Sequence, residues 1–450
     1  MRRLALLLCL LAPASTAAQD GGAGDGVELA ADAIAAAAAE LVGPDAGRVV
    51  LRPRVDLPED APHGLPAALT APARARLGDG AHVALFGGLD AEGAAAATRL
   101  GYDAMLDLDA RIEGGFLRWF LTLWRGDARI GERSGRVRLD VALRRFTGFP
   151  PRLQDADVRP QTVLLPTTDV VAIAAHDLDD DGRAELVVVR ADGVRVYRLE
   201  PRGRRLRARE LGRAAWPAEA TRAPVPRRRL IASARPDGDG VALRISELAP
   251  ALRVSLVGGA VQLRVAEGPC PEGRYPMGGG CAELVHGRDF YDQLLTRGDA
   301  PTLEAQGNFF AHVYGEFADR EGGRVAAEGL VTPHGRMSVR LARRGPEGDE
   351  TERSVGAVGY GTALAMTDLD LDGAPELLAS TASAAGEGDA LVLMRALPRG
   401  ALHVLWRSEP TTGPVFVAGA GDLDGDGRDE LIAVEEPLER RGGARLWIVR

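Results

Sequence analysis

The sequence predicts a mainly β protein: a C-terminal β-propeller of about six four-stranded blades, with five to seven possible, preceded by a small α/β domain and a cleaved signal peptide. Three observations predict it. An acidic motif, D-L-D-x-D-G-x-x-E-L, recurs three times between residues 177 and 431. Around it, short apolar runs repeat in units of about 45 residues, the period of a four-stranded blade. The first third of the chain, by contrast, alternates helix-prone and strand-prone segments.

The chain opens with Met1-Arg2-Arg3, the apolar stretch Leu4 to Ala12, and then Pro13-Ala14-Ser15-Thr16-Ala17-Ala18. A cationic start, an apolar stretch and small residues at the cut are the pattern of an export signal. Residues 1–18 are therefore expected to be removed, with 19–26 as a linker and a periplasmic or secreted location. The longest apolar run falls well short of the roughly 20 residues that span a bilayer as a helix, so no integral membrane segment is expected.

Residues 27–147 read as the small α/β domain. Val27 to Val42 is alanine-rich and helical by propensity. Val49-Val50-Leu51 reads as a strand, Pro66 to Leu77 as a helix, His82 to Phe86 as a strand and Ala91 to Leu100 as a helix. A hairpin follows, with Leu106, Leu108, Ala110 and Ile112 alternating with Asp107, Asp109, Arg111 and Glu113. Gly114-Gly115 forms its turn, and Leu117, Trp119, Leu121 and Leu123 form its returning strand. Asp107 and Asp109 are expected on the wet face of that strand. This region resembles the N-terminal α/β domains of bacterial envelope proteins of the TolB-amino-terminal or curli-assembly type.

Residues 148–161 are expected to be a linker and 162–450 the propeller. The motif copies are Asp177 to Leu186, Asp368 to Leu377 and Asp422 to Leu431. Carboxylates at positions 1, 3 and 5 of a tight loop converge on one point, glycine at 6 permits the turn that brings round the position 7 carbonyl, and glutamate at 9 closes the shell. The expected metal ligands are Asp177, Asp179, Asp181, Glu185 and the Arg183 carbonyl; Asp368, Asp370, Asp372, Glu376 and the Ala374 carbonyl; and Asp422, Asp424, Asp426, Glu430 and the Arg428 carbonyl. Hard oxygen donors suit Ca²⁺, whereas zinc would want His or Cys. Four carboxylates within about 4–6 Å repel by about 3–4 kcal/mol per pair at an effective dielectric near 20, so such a loop calls for a cation. An EF-hand would need glutamate at position 12, where Val188, Ala379 and Ala433 stand. The motifs run directly into strands, which makes them β-loop-β sites.

The first copy's strands are Val170 to Ala175, Leu186 to Arg190, Val194 to Leu199 and Arg205 to Leu211. The second copy gives 363–366, 377–379, 390–394 and 402–406. The third gives 415–417, 431–434 and 446–449 before the sequence stops, so Thr162-Val163-Leu164-Leu165 is expected to supply its fourth strand. These loops and blades resemble the FG-GAP/VCBS repeat family, whose members carry such loops on β-propeller blades and occur in integrin α-subunit heads and many exported bacterial proteins. Between 215 and 355 only strand runs such as Val241 to Ile245 and Val261 to Val265 mark blades. Asp237-Gly238-Asp239-Gly240 lacks the later carboxylates and reads as a turn.

Cys270 and Cys281, the two cysteines left after export, flank a Gly/Pro-rich loop and are expected to form a disulfide worth roughly 2–3 kcal/mol. All 55 basic residues are arginine. Lysine chemistry and a P-loop are excluded with them. A net charge of -9 argues against nucleic acid as partner. Arg205, Arg207 and Arg209 share one face of an outer strand, where they protect an edge or grip an anion. No H-E-x-x-H or G-x-S-x-G occurs, and the seven histidines are scattered. No catalytic residues are assigned. The expected function is a non-catalytic, exported, calcium-binding propeller acting as a binding or scaffold module in the bacterial cell envelope, with another envelope protein or a glycan as partner. The alternative is an exported enzyme acting on polysaccharide, using carboxylates such as Glu304 and Glu316.

Overall fold

The computed structural model describes residues 26–44, 47–56, 64–84, 90–113, 115–203, 205–217, 232–237, 239–245, 251–265, 275–277, 279–286, 291–299, 311–318, 320, 324–332, 338–344, 350–355, 359–381, 388–396, 401–436 and 442–450. The expected signal peptide lies outside them, as do Gly114, Cys270 and Glu304. The chain divides into two units. One comprises residues up to Leu57 with His63–Ile112 and Leu117–Val137, and the other comprises Pro58–Pro62, Glu113–Phe116 and Arg138–Arg450. Among the described residues, no helix is long and apolar enough to cross a membrane.

The first unit is built in the order α1 (Gly26–Val42), β1 (Val49–Asp56), α2 (Leu65–Leu77), β2 (Ala81–Val83), α3 (Asp90–Arg99), β3 (Ala104–Glu113), β4 (Phe116–Arg125) and β5 (Ala128–Arg138). Its sheet has the order β2-β1-β3-β4-β5, with β1 parallel to both neighbours. Ala30, Ile34 and Ala38 recur at helical spacing on α1 and are buried. Proline at the start of α2 needs no backbone donor there. The strand expected over His82 to Phe86 is found as Ala81–Val83, and Leu85 and Phe86 lie outside the described residues.

One expectation is overturned here. Asp107 is not on a wet face: it is 3% exposed and pairs with Arg52, itself 1% exposed. Arg52 Nε donates to Asp107 Oδ1 at 2.9 Å and Nη2 to Oδ2 at 2.7 Å, while Arg54 Nη2 donates to the same Oδ2 at 2.7 Å. Both arginines come from β1, the strand paired with β3. Helix α3 covers this polar face, and a Cβ added to its Gly93 would stand 2.2 Å from Arg52 Nη1.

The second unit carries α4 (Val141–Thr147), whose first turn is capped by Asp140 accepting from the Leu143 N–H at 2.9 Å. Residues 149–160 form no helix or strand, and then comes β6 (Gln161–Leu165). Next is a sheet of β7 (Val170–His176), β8 (Glu185–Arg190), β9 (Gly193–Arg202) and β10 (Arg205–Ala215). The following sheet holds β11 (Ala232–Asp237), β12 (Gly240–Ile245), β13 (Leu252–Val257) and β14 (Ala260–Val265). Among the described residues a sheet of three strands follows: β15 (Tyr275–Met277), β16 (Gly279–His286) and β17 (Tyr291–Asp299). After it come β18 (Ala311–Ala318), β19 (Arg324–Thr332), β20 (Ser338–Arg344) and β21 (Glu350–Val355). The next four are β22 (Tyr360–Thr367), β23 (Glu376–Thr381), β24 (Leu391–Ala396) and β25 (Leu402–Arg407). The last sheet contains β26 (Val415–Gly421), β27 (Glu430–Glu435), β28 (Ala444–Val449) and, at its edge, β6. All pairs within these sheets are antiparallel; where a turn is expected, Asp237 at the end of β11 pairs with Gly240 at the start of β12, and Gly238 lies outside the described residues.

First strands lie side by side in the order β15, β11, β7, β26, β22, β18. Each core therefore sits between two sheets. Val170, Leu186 and Val188 of one sheet pack on Ile432, Leu446 and Ile448 of the last. Val187 and Val189, on the opposite face of β8, pack on Val241, Leu243 and Val254. With both faces covered, central strands read as unbroken apolar runs, as in Leu186 to Val189, instead of alternating. Four-stranded sheets stacked face to face, first strand against first strand, are a propeller-like arrangement. The fourth strand of the last sheet is the expected one: β6 pairs with β28 in the register Val163↔Leu446 and Leu165↔Ala444.

Candidate metal centres

Each acidic motif joins the first and second strands of its sheet: β7 to β8, β22 to β23 and β26 to β27. Because β26 lies between β22 and β7, the three loops belong to consecutive sheets. The Ala184 N–H donates to the Asp422 carbonyl at 2.8 Å, tying the first loop to the third.

The backbone of all three loops is folded by the same hydrogen bonds. The position 1 carboxylate accepts from the N–H at position 5: Asp177 from Asp181, Asp368 from Asp372 and Asp422 from Asp426, at 3.0, 3.0 and 3.1 Å. Its other oxygen accepts from the glycine at position 6, at 2.6, 2.7 and 2.8 Å. The position 5 carboxylate accepts from the N–H at position 7, Arg183, Ala374 or Arg428. The glutamate at 9 accepts through Oε2 from the leucine N–H at position 2, at 2.9, 2.9 and 2.8 Å. Position 4 takes a left-handed conformation in every loop, at Asp180, Leu371 and Gly425, as does the glycine at 6. The motif thus encodes a loop that holds its own acidic side chains inward.

Carboxylate oxygens within 4.8 Å of one another come from Asp422, Asp424, Asp426 and Glu430 in the third loop, from Asp177, Asp179 and Glu185 in the first, and from Asp368, Asp370 and Asp372 in the second. The third loop assembles all four expected carboxylates. The other two leave one out, Asp181 and Glu376 respectively, and both of these contact an arginine. Arg198 Nη1 lies 3.0 Å from Asp181 Oδ2, and Arg395 Nε donates to Glu376 Oε1 at 2.5 Å.

Burial raises Glu430 to about 8, with Asp424 repelling it further, and raises Asp368 to about 6 against the hydrogen bond from Gly373. Burial also raises Glu185 and Glu376, against the opposing pull of Arg198 and Arg395. Asp370 is 2% exposed; its Oδ2 accepts from the Leu153 N–H and from Arg395, but its Oδ1 is buried without a hydrogen-bond partner. A buried carboxylate oxygen left unpaired beside Asp368 and Asp372 fits a hard cation.

Sequence reasoning missed the cations around these loops. Besides Arg198 and Arg395, Arg450 donates to Asp424 at 2.5 Å, Arg138 to Asp422 at 3.1 Å, and Arg428 to Asp426 at 2.6 Å. Arg152 Nε lies 3.6 Å from Asp372, and Arg144 and Arg320 donate to the carbonyls of Asp426 and Asp370. Arg205, Arg207 and Arg209 stand exposed on the outer strand β10, as expected, with Arg209 paired to Glu200. Cys281 lies in β16, and with Cys270 outside the described residues the expected bridge is not visible. Glu316 is exposed on β18 and accepts from the Tyr314 hydroxyl.

No protein-family model and no curated protein matches the chain. Among solved structures, it is similar to an α-L-arabinanase of Penicillium chrysogenum complexed with arabinobiose, at 13% identity and TM-score 0.34 over 67% of this chain and 98% of that one. It is similar to the core factor of S. cerevisiae at 9% identity and TM-score 0.30, over 76% and 53%. TolB of Acinetobacter baumannii matches at 9% identity and TM-score 0.25, over 91% and 95%. Likenesses this weak assign neither fold nor function, and the propeller-like architecture rests on the chain's own sheets.

Proposed function

We propose that the chain is an exported, non-catalytic, calcium-binding β-propeller of FG-GAP/VCBS type, its six sheets forming six blades, and that it serves as a binding or scaffold module in the bacterial cell envelope. One observation carries the reading: three loops of independent sequence position fold by the same hydrogen bonds around converging carboxylates, and in one of them Asp370 Oδ1 is buried with no hydrogen-bond partner. Asp177, Asp179 and Glu185, Asp368, Asp370 and Asp372, and Asp422, Asp424, Asp426 and Glu430 would hold the ions. A bound divalent cation supplies the positive charge that lets these carboxylates stay ionised together.

The residues do the rest. The glutamate at position 9 starts the second strand of each sheet and is bonded to the N–H at position 2, so the metal loop is continuous with the hydrogen-bond ladder. Calcium that binds only the folded form raises stability by mass action. Melting the purified chain in chelator and in excess Ca²⁺ tests this: the midpoint should rise with Ca²⁺, and coincident melts overturn the calcium assignment. The envelope role predicts that the tagged chain, purified from intact envelope, brings down a stoichiometric protein or glycan partner, whereas turnover of acidic polysaccharides by the purified chain would point to an enzyme.

A further inference from the structure

The three loops share a feature outside the motif. Arg395 stands directly across β23 and β24 from Glu376. Arg198 follows Tyr197, the partner of Leu186, and so stands across from Glu185. Arg450 follows Val449, the partner of Leu431, and so stands across from Glu430. All three reach the position 3 carboxylate of their loop: Arg198 to Asp179 and Arg395 to Asp370 at 2.6 Å, and Arg450 to Asp424 at 2.5 Å. Arg198 and Arg395 also hold the glutamate at position 9.

We propose that Arg198, Arg395 and Arg450 are the resident counter-ions of the acidic loops and that a divalent cation binds by competing with them for the position 3 carboxylate. The inference rests on the calcium reading above and adds what sets the affinity. A guanidinium fork and a metal ion need the same carboxylate oxygens, and two cations at that separation repel. The arrangement of the loops follows the arginines. Where the arginine grips several carboxylates, the converging set is incomplete, lacking Asp181 in the first loop and Glu376 in the second. Where it grips Asp424 alone, all four carboxylates converge. The neighbouring Arg195 on β9 turns elsewhere, to the Pro166 carbonyl and Glu210, so the contact belongs to one register position and not to arginine on that strand in general.

The test is calcium titration calorimetry, paired with melting in chelator, on the purified wild-type chain and on Arg198→Gln, Arg395→Gln and the double variant, with Arg195→Gln as control. The double variant should bind calcium about tenfold tighter at two sites, a coupling of ordinary size between competing ligands. It should melt below wild type in chelator and regain the difference in saturating calcium. The control should leave affinity unchanged. If wild type binds calcium and the glutamine variants bind it equally or more weakly, the counter-ion role is overturned and the calcium reading survives. If wild type binds no calcium, the calcium reading itself falls, and this inference with it. Should the glutamine chains not fold, Arg198→Met and Arg395→Met remove the charge while keeping a long side chain to pack on the sheet; they must then bind calcium more tightly than wild type, and equal or weaker binding overturns the proposal.

Discussion

Val163 pairs with Leu446, so a strand that precedes the other sheets of the second unit completes the one that follows them. The edge of the last sheet is thereby filled by its own chain and not left as a template for another. The joint depends on one face of β6: Leu165 is fully buried between the first and last sheets, whereas Leu164 is 68% exposed. Leu165→Ala should cost about 2–5 kcal/mol. Leu164→Ala should stay within about 0.5 kcal/mol. Denaturant unfolding reads both, and equal midpoints would show that the buried face of β6 does not hold it to the last sheet.

The loops were legible in the sequence because every expected acidic ligand lies within nine residues at fixed spacing, so local geometry brings together all four carboxylates in the third loop and three in each of the other two. Strand 4 of the last sheet was legible because the third repeat stops one strand short. Arg198 and Arg395 were not, since they lie 13 and 19 residues beyond the glutamates they hold, and hairpins of unequal length hide a common register. Asp107 misled for a different reason: alternation assigns a side chain to a face of the sheet but does not say whether a helix covers that face. The left-handed position 4 was hinted at only by Gly425, because Asp180 and Leu371 occupy it in the other loops.

Leu371 adopts φ 58, a conformation that costs a residue with a Cβ about 1–2 kcal/mol. Glycine removes that cost but gives back roughly 0.5–1 kcal/mol through the greater freedom of the unfolded chain. Leu371→Gly should therefore be neutral or stabilising by up to about 1 kcal/mol, while Gly373→Ala, at φ 82 two residues on, should be destabilising by a similar amount. Unfolding midpoints of the two variants should move in opposite directions or, at the least, differ; a large loss from Leu371→Gly would mean that the leucine side chain, not the backbone, sets the loop.

Asp107 balances two arginines, one of them buried as deeply as itself. Asp107→Ala leaves the Arg52 guanidinium in the interior without its bidentate partner, and removing one half of a buried pair typically costs about 3–5 kcal/mol. Asp109 lies two residues on and is half-buried, so Asp109→Ala should cost much less. Chemical denaturation of the full chain distinguishes them, and a mild Asp107→Ala would restore the wet-face assignment.

The metal-free loops should make stability fall with rising pH. Burial and the neighbouring Asp424 lift Glu430 from its ordinary 4.5 to about 8, and burial lifts Asp368 from 3.8 to about 6. Between each pair of values the folded chain holds a proton that the unfolded chain has released. The contribution is fully present below the unfolded values and is lost as pH climbs through the folded ones, across roughly pH 4 to 8. A cation bound as proposed would replace those protons, so its stabilising effect should grow over the same window. Melting midpoints in excess chelator should decline from pH 5 to pH 8.5, and saturating Ca²⁺ should flatten the decline. A midpoint that climbs with pH in chelator would mean that Glu430 is ionised in the metal-free fold, with its charge already neutralised by the surrounding arginines.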